Sequence, residues 1–187
     1  MKAVNLFLII CLTAFVISCS SSIKVQTDYD PTVNIAAITT YHWLEKPREA
    51  PDNAQEALTE NTLLDKRVKK AVNIQLIGLG FQMEKDNPDV LVTYYIGLQD
   101  KVDVQRTGGG FHGRRGRFSG GMVYVDKYKE GTLIVDVLDA ASKEIIWRGI
   151  AFVKLDDDLK PKEVEGKLSK AVKKMFEMLA IQRGILS

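Results

Sequence analysis

EGTLIVDVLDAASKEIIWRGIAFV, residues 130–153, is the stretch whose reading decides the fold. Thr132 to Leu138 and Glu144 to Val153 are rich in Ile and Val, and they flank the turn-forming run Asp139-Ala140-Ala141-Ser142-Lys143. Two apolar runs joined by so short a polar connection predict a β-hairpin. Leu133, Val135 and Val137 fall on one face of the first strand, and Ile145, Trp147 and Val153 are expected on one face of the second.

Outward from the hairpin, Pro88 and Asp89 introduce a long run from Val90 to about Val104. Its first half, VLVTYYIGL, is apolar at even and odd positions alike, which predicts a strand inside a sheet. Near the N-terminus Ile23, Val25, Thr27 and Tyr29 alternate with Lys24, Gln26, Asp28 and Asp30, a strand with one wet face that Pro31 stops. A further strand is expected at Thr39 to Leu44, and Pro47 to Ala57 reads as a loop.

Leu64, Val68, Ala71, Val72, Leu76 and Leu79 recur at helical spacing, so a helix is expected from Thr62, capped by Thr62 with Asp65, to Gly78 or Gly80. After Pro161 a second helix is expected, with Val164, Leu168, Ala171, Val172, Met175, Met178 and Leu179 as its buried stripe. Strands in adjacent runs with a helix at each break predict an α+β two-layer sandwich: a mostly antiparallel sheet with two helices packed on one face.

The first residues carry a different message. Met1 and Lys2 precede a nearly uninterrupted apolar run from Ala3 to Ile17. A run below roughly 18 to 20 residues is short for a permanent membrane-crossing helix and suits a cleaved leader. It ends in Val16-Ile17-Ser18-Cys19 followed by Ser20, Ser21 and Ser22. A small residue directly before cysteine resembles the bacterial lipobox. By that resemblance residues 1–18 are removed, and Cys19 carries an S-diacylglycerol and an N-acyl chain. Residues 19–23 are a tether, and 24–187 form a single domain. Two or more acyl chains anchor stably where one does not. Ser20 in place of Asp suggests the outer membrane, with the domain in the periplasm. Cys11 lies in the leader, so the mature chain keeps no free thiol for a disulfide, metal site or nucleophile.

Removing 18 of the 187 residues leaves 169, enough for one domain with a sizeable core. The 26 basic and 24 acidic residues give +2, and +1 without Lys2, which does not support a global field for nucleic acid.

Candidate chemistry is sparse. His42 and His112 lack partners at fixed spacing, and no H-E-x-x-H, G-x-S-x-G or metal-spaced cluster is present. His42, in a strand, is expected to be exposed or hydrogen-bonded. Asp136 shares a face with Ile134 and Leu138, and Arg148 is expected on the matching face between Ile146 and Ile150, so the two form a candidate structural ion pair. A carboxylate-based hydrolase would need a second acid, and Asp139 is better suited to shaping the turn. The loop 106–121 interleaves Arg106, Arg114, Arg115 and Arg117 with glycines, Phe111, His112 and Phe118. It has neither a dinucleotide-binding nor a Walker pattern. The arginines are candidate contacts to an anionic surface, lipid head groups or cell-wall polymer, set against a solvated hairpin tip. The four residues Lys66, Arg67, Lys69 and Lys70 read as a solvated helix face.

VQTDYDP with ITTYHWL, the helix closing in GLGFQ, NPDVLVTYYIG, and EGTLIVDVLDAASKEIIWRGIA together resemble the periplasmic lipoproteins of domain of unknown function 4136. The resemblance implies an envelope lipoprotein with an α+β domain and carries over no activity, substrate, cofactor or catalytic residue. The functional expectation is therefore a non-enzymatic module, held to the membrane by lipid, that binds an envelope protein or a cell-wall or lipid component and no nucleic acid. Alternatives are a small-ligand carrier with a pocket between sheet and helices, tested by whether Tyr94, Tyr95, Trp147 and Phe152 line a void, and the hydrolase above.

Overall fold

The structure is a computed structural model and describes residues 23–44, 62–106, 123–155 and 160–186. Six strands and two α-helices follow in the order β1 (Lys24–Tyr29), a 3-10 turn (Ile35–Ala37), β2 (Thr40–Trp43), α1 (Thr62–Gly78), β3 (Gln82–Met83), β4 (Val90–Arg106), β5 (Val123–Asp139), β6 (Ile145–Leu155) and α2 (Pro161–Gln182). The sheet runs β1-β6-β5-β4-β2-β3. Pairing is antiparallel from β1 to β4, and β2 pairs in parallel with both β4 and β3. This is the expected α+β layering, with both helices on one face.

The helices form where apolar side chains repeat along one side. On α1, Val68, Ala71, Val72 and Leu76 are buried, with Leu64 and Leu79 packed beside them. The helix stops because Gly80 turns left-handed at φ 87°, which lets the Phe81 amide donate to Leu76 O and the Gly80 amide to Ile77 O. Gly184 ends α2 in the same way. Two polar ties fix α1 to the sheet: Tyr41 Oη and Trp43 Nε1 both donate to Asn73 Oδ1 at 3.0 Å, and Tyr94 Oη donates to Asp65 at 2.8 Å. Asp65, expected to assist a helix cap, is instead engaged by Tyr94 and by Lys69 at 3.0 Å. On α2 the buried stripe drifts to Phe176 and Ala180, and Met178 is exposed, contrary to expectation. A 3.6-residue period turns Met178 away once Met175 and Leu179 face the sheet.

The hairpin holds a one-residue irregularity. Leu138 pairs with Ile145 but Val137 pairs with Trp147, so Ile146 is an extra residue opposite the junction. Ile146 and Trp147 both enter the core and Ile145 is exposed, which corrects the expected face for Ile145 and removes Ile146 from the Arg148 face. A second departure concerns length. β5 begins at Val123 instead of Thr132 and pairs with β4 as far as Arg106↔Val123, so Arg106 is the last residue of a strand and not part of the loop. β6 ends at Leu155 opposite Lys129, and beyond that row β4 and β5 project as a two-stranded arm.

Asp89 locks the entry of β2 onto β4. Its Oδ2 accepts from the Thr39 and Thr40 amides at 2.9 Å and from Thr39 Oγ1 at 3.1 Å. The Thr39 amide is the largest of the influences that hold its pKa at about 2, below the ordinary 3.8. A depressed carboxylate pKa contributes stability that is complete above about pH 4 and disappears as pH falls through about 2. Asp89→Ala is expected to cost about 1.5 kcal/mol at neutral pH, the lower end of the range for a charged acceptor, because the carboxylate is solvent-exposed. Urea unfolding at pH 7 and at pH 2 should show that difference shrinking towards zero in acid.

Candidate functional site

The polar group buried deepest in the sheet lies on the face away from the helices. Register places Asp28, Arg148, Asp136 and Thr93 in one row across β1, β6, β5 and β4. Asp136 is 2% exposed. Arg148 Nε donates to Asp136 Oδ1 and its Nη2 to Oδ2, each at 2.7 Å, the two-pronged geometry that planar guanidinium and carboxylate groups share. Hydrogen bonding to Asp136, ahead of an opposing desolvation, raises the Arg148 pKa and keeps it charged.

That arrangement leaves little for catalysis. Both Asp136 oxygens are engaged, and Asp139 is occupied elsewhere: its Oδ1 accepts from the Ala141 and Ser142 amides at 2.9 and 2.7 Å, shaping the turn in which Lys143 adopts φ 62°. The Ser142 amide leads in lowering the Asp139 pKa. These are two separately committed acids, not an acid and base facing one substrate. Among the described residues no group of three or more His, Cys, Asp or Glu could hold a metal.

His42 departs from expectation. It borders an open polar depression with Lys85, Asp86, Asp89, Asp139 and Lys143, yet its Nδ1 is enclosed with no hydrogen-bond partner among the described residues. The basic face of α1 is partly consumed in pairs, with Lys69 on Asp65 and Lys70 on Glu165 at 3.3 Å, while Lys69 also lies 5.7 Å from the Trp43 ring centre.

A pocket of about 200 Å³ opens between sheet and helices, lined by Leu64, Ile96, Leu98, Leu133, Val153 and Leu168 among others. None of the four aromatics expected to border such a space does so. Trp147 and Tyr94 fill the core, Trp147 with its ring centre 5.4 Å from Phe176 and Tyr94 edge-on to Trp43 at 6.2 Å. Tyr95 and Phe152 belong to the opposite face by register. The pocket lies where Gly131 supplies no side chain to the helix side and only the first turns of α1, through Leu64, and of α2 reach over. Sequence periodicity marks apolar faces but not whether two faces meet without a gap.

Cys19, Arg114, Arg115, Arg117 and His112 lie outside the described residues, and Arg106 closes β4 opposite Val123.

The family model described as "Domain of unknown function (DUF4136)" matches residues 25–178. No curated protein matches the sequence. A PDZ domain protein from Parabacteroides distasonis is similar in structure, with a TM-score of 0.51 at 11% identity over 82% of this chain and 35% of that one. The chain thus spans about a third of that protein. A DUF4136 family protein from Bacteroides thetaiotaomicron has a TM-score of 0.45 at 13% identity, covering 86% of this chain and 97% of the other. The PelC dodecamer from Paraburkholderia phytofirmans has a TM-score of 0.41 at 7% identity, covering 82% and 95%.

Proposed function

This chain belongs to the DUF4136 family, whose members share a domain of unknown function, and from that premise we propose that it is an envelope lipoprotein, anchored through acylated Cys19, whose domain binds or braces a partner without catalysing a reaction. The observation that carries the reading is the short apolar leader ending in Ser18-Cys19. It is supported by the closed Asp136–Arg148 pair, which leaves the most buried carboxylate among the described residues no reactive role. No described helix is long and apolar enough to cross a membrane, so attachment through acyl chains would supply the anchor. The proposed address is the periplasmic face of the outer membrane. The proposed partners are the bilayer itself and an envelope protein or a cell-wall or lipid component, with Arg106, Arg114, Arg115 and Arg117 as the anionic-surface contacts.

Cys19→Ala tests the anchor. The variant is expected to remain uncleaved and to incorporate no labelled fatty acid, because the lipid-modified thiol is what the processing peptidase would recognise. Equal labelling of variant and wild type would end the lipoprotein reading.

The pocket favours a second reading, a carrier of a small apolar ligand. At about 200 Å³ it exceeds the roughly 150 Å³ of an apolar cavity known to admit benzene. An apolar dye that brightens on binding should do so less with Leu168→Phe, which places a larger ring at the pocket wall. A response unchanged by that substitution places the dye elsewhere and sinks the carrier reading.

A further inference from the structure

We propose that β1 is a self-pairing edge: two copies of this chain join antiparallel along it, about a two-fold axis at Gln26, and continue the sheet from one domain into the next. The pairing goes beyond the lipid anchor and does not depend on it.

The edge has backbone groups to offer. β1 ends the sheet on one side, and its amide and carbonyl groups alternate between β6 and the outside. The Asp30 amide donates to Ile146 O at 3.0 Å, so by alternation Asp28, Gln26 and Lys24 face β6, while Tyr29, Thr27, Val25 and Ile23 face outward. At the two ends the outward groups have local partners: Lys174 Nζ donates to Ile23 O at 3.4 Å, and the Tyr29 amide donates to Asp28 Oδ1 at 2.9 Å. Val25 and Thr27 lie between them. β1 contains no proline and pairs with β6 without a bulge, so it lacks two of the devices that ordinarily protect an edge. The opposite edge, β3, is only two residues long.

The side chains select the register. An axis at Gln26 sets Val25 against the partner's Thr27 and Thr27 against the partner's Val25, outward groups meeting outward groups as an antiparallel ladder requires. On the face away from the helices it sets Lys24 opposite the partner's Asp28 and Asp28 opposite the partner's Lys24, with Gln26 meeting itself. Cross-strand pairs of opposite charge stabilise such a ladder. Moving the axis to Val25 would set Lys24 opposite Gln26 and lose both ion pairs. Moving it to Thr27 would set Lys24 opposite Asp30, whose carboxylate already accepts from the Thr32 amide and hydroxyl.

Helix α2 supplies an independent observation. Its Met178 and Ile181 are 43 and 48% exposed. At about 100° per residue they lie within about 60° of each other, flanking the direction of Lys174 and opposite that of Glu165. Glu165 bonds Lys70 of α1, and Lys174 reaches Ile23 beside β1, so the apolar stripe stands on the β1 side of the helix. Lys174 is level with Ile23, and Gln182 bonds Trp147, which lies in the row of Tyr29. Met178, midway between Lys174 and Gln182, therefore stands level with Gln26, where the axis passes. Because α2 packs on both β6 and β1, edge pairing brings the two copies' α2 helices about 10 Å apart, the spacing of packed helices, with Met178 against the partner's Met178. One two-fold rotation thus pairs the edge, matches its charges and covers the stripe.

Disulfide trapping of the full-length protein, in the membranes of the cells that produce it, tests the pairing. Residues meeting at the axis form a non-hydrogen-bonded pair with Cα atoms about 4.5 Å apart, within disulfide range. Gln26→Cys is expected to give a covalent dimer on mild oxidation, above the background that wild type sets through Cys11 and Cys19. Lys24→Cys alone is expected to give none, since its two copies stand about 13 Å apart along the strands, whereas Lys24→Cys co-expressed with Asp28→Cys is expected to give the mixed dimer. Adding Met178→Asp to Gln26→Cys should lower the yield roughly tenfold, because it sets two carboxylates against each other at the axis. Circular dichroism checks that each variant folds, and if Gln26→Cys does not, the mixed pair at 24 and 28 carries the test alone. No dimer above background at 26 or between 24 and 28, or dimers at 24 alone as abundant as these, would overturn the pairing. A yield unchanged by Met178→Asp would overturn the two-fold arrangement of the helices.

Discussion

Trp147→Ala is expected to destabilise the domain by about 3 to 5 kcal/mol, the range for truncating a buried large aromatic. The indole is 1% exposed, meets Phe176, and donates from Nε1 to Gln182 Oε1 at 2.9 Å. It ties β6 to the last turn of α2, so its loss opens a cavity and also releases the helix end. The site cannot collapse easily around the missing ring, because the backbone beside it is already as close as glycine allows. A Cβ at Gly149 would stand 2.5 Å from Trp147 Cη2. Equilibrium urea unfolding followed by circular dichroism measures the change. A loss below about 1 kcal/mol would mean that the ring is not packed as described.

Arg148→Ala is expected to cost about 3 kcal/mol, because it leaves the Asp136 carboxylate buried without its counter-charge. The value sits at the lower end for a broken buried pair, since the Arg148 side chain is 34% exposed and water reaches its outer edge. Replacing both residues by leucine removes the unpaired charge together with its partner and is expected to fall within about 1 kcal/mol of wild type. The contrast between single and double variants is the informative measurement. Equal losses in the two would show that the pair is not coupled and would return Asp136 to the list of candidate reactive groups.

Local patterns in the sequence carried much of this architecture. The helix from Thr62 to Gly78 follows from apolar residues three and four apart with glycines beyond, and the hairpin from β-favouring runs around Asp139–Lys143. Each signal is complete within a few turns of chain. The extension of β5 back to Val123 is different. Tyr124, Val125, Asp126, Lys127 and Tyr128 show no clean alternation, and they form a strand because β4 offers an unpaired edge beside them. The depression at His42 and the apolar pocket likewise depend on how elements meet, which no single segment encodes.

The site shows the division most sharply. Sequence alone placed Asp136 and Arg148 on strands of one hairpin and identified them as candidate partners, because a charge inside an apolar run demands one. Counted straight from the turn, where Leu138 faces Ile145, Asp136 would face Trp147, and Arg148 would face Val135 in the core. The extra residue at Ile146 shifts the register by one, sending Trp147 inward and bringing Arg148 opposite Asp136. The choice was made by tertiary structure: a straight ladder would bury a guanidinium among helix-side apolar groups, and that desolvation costs more than the one irregularity in the ladder.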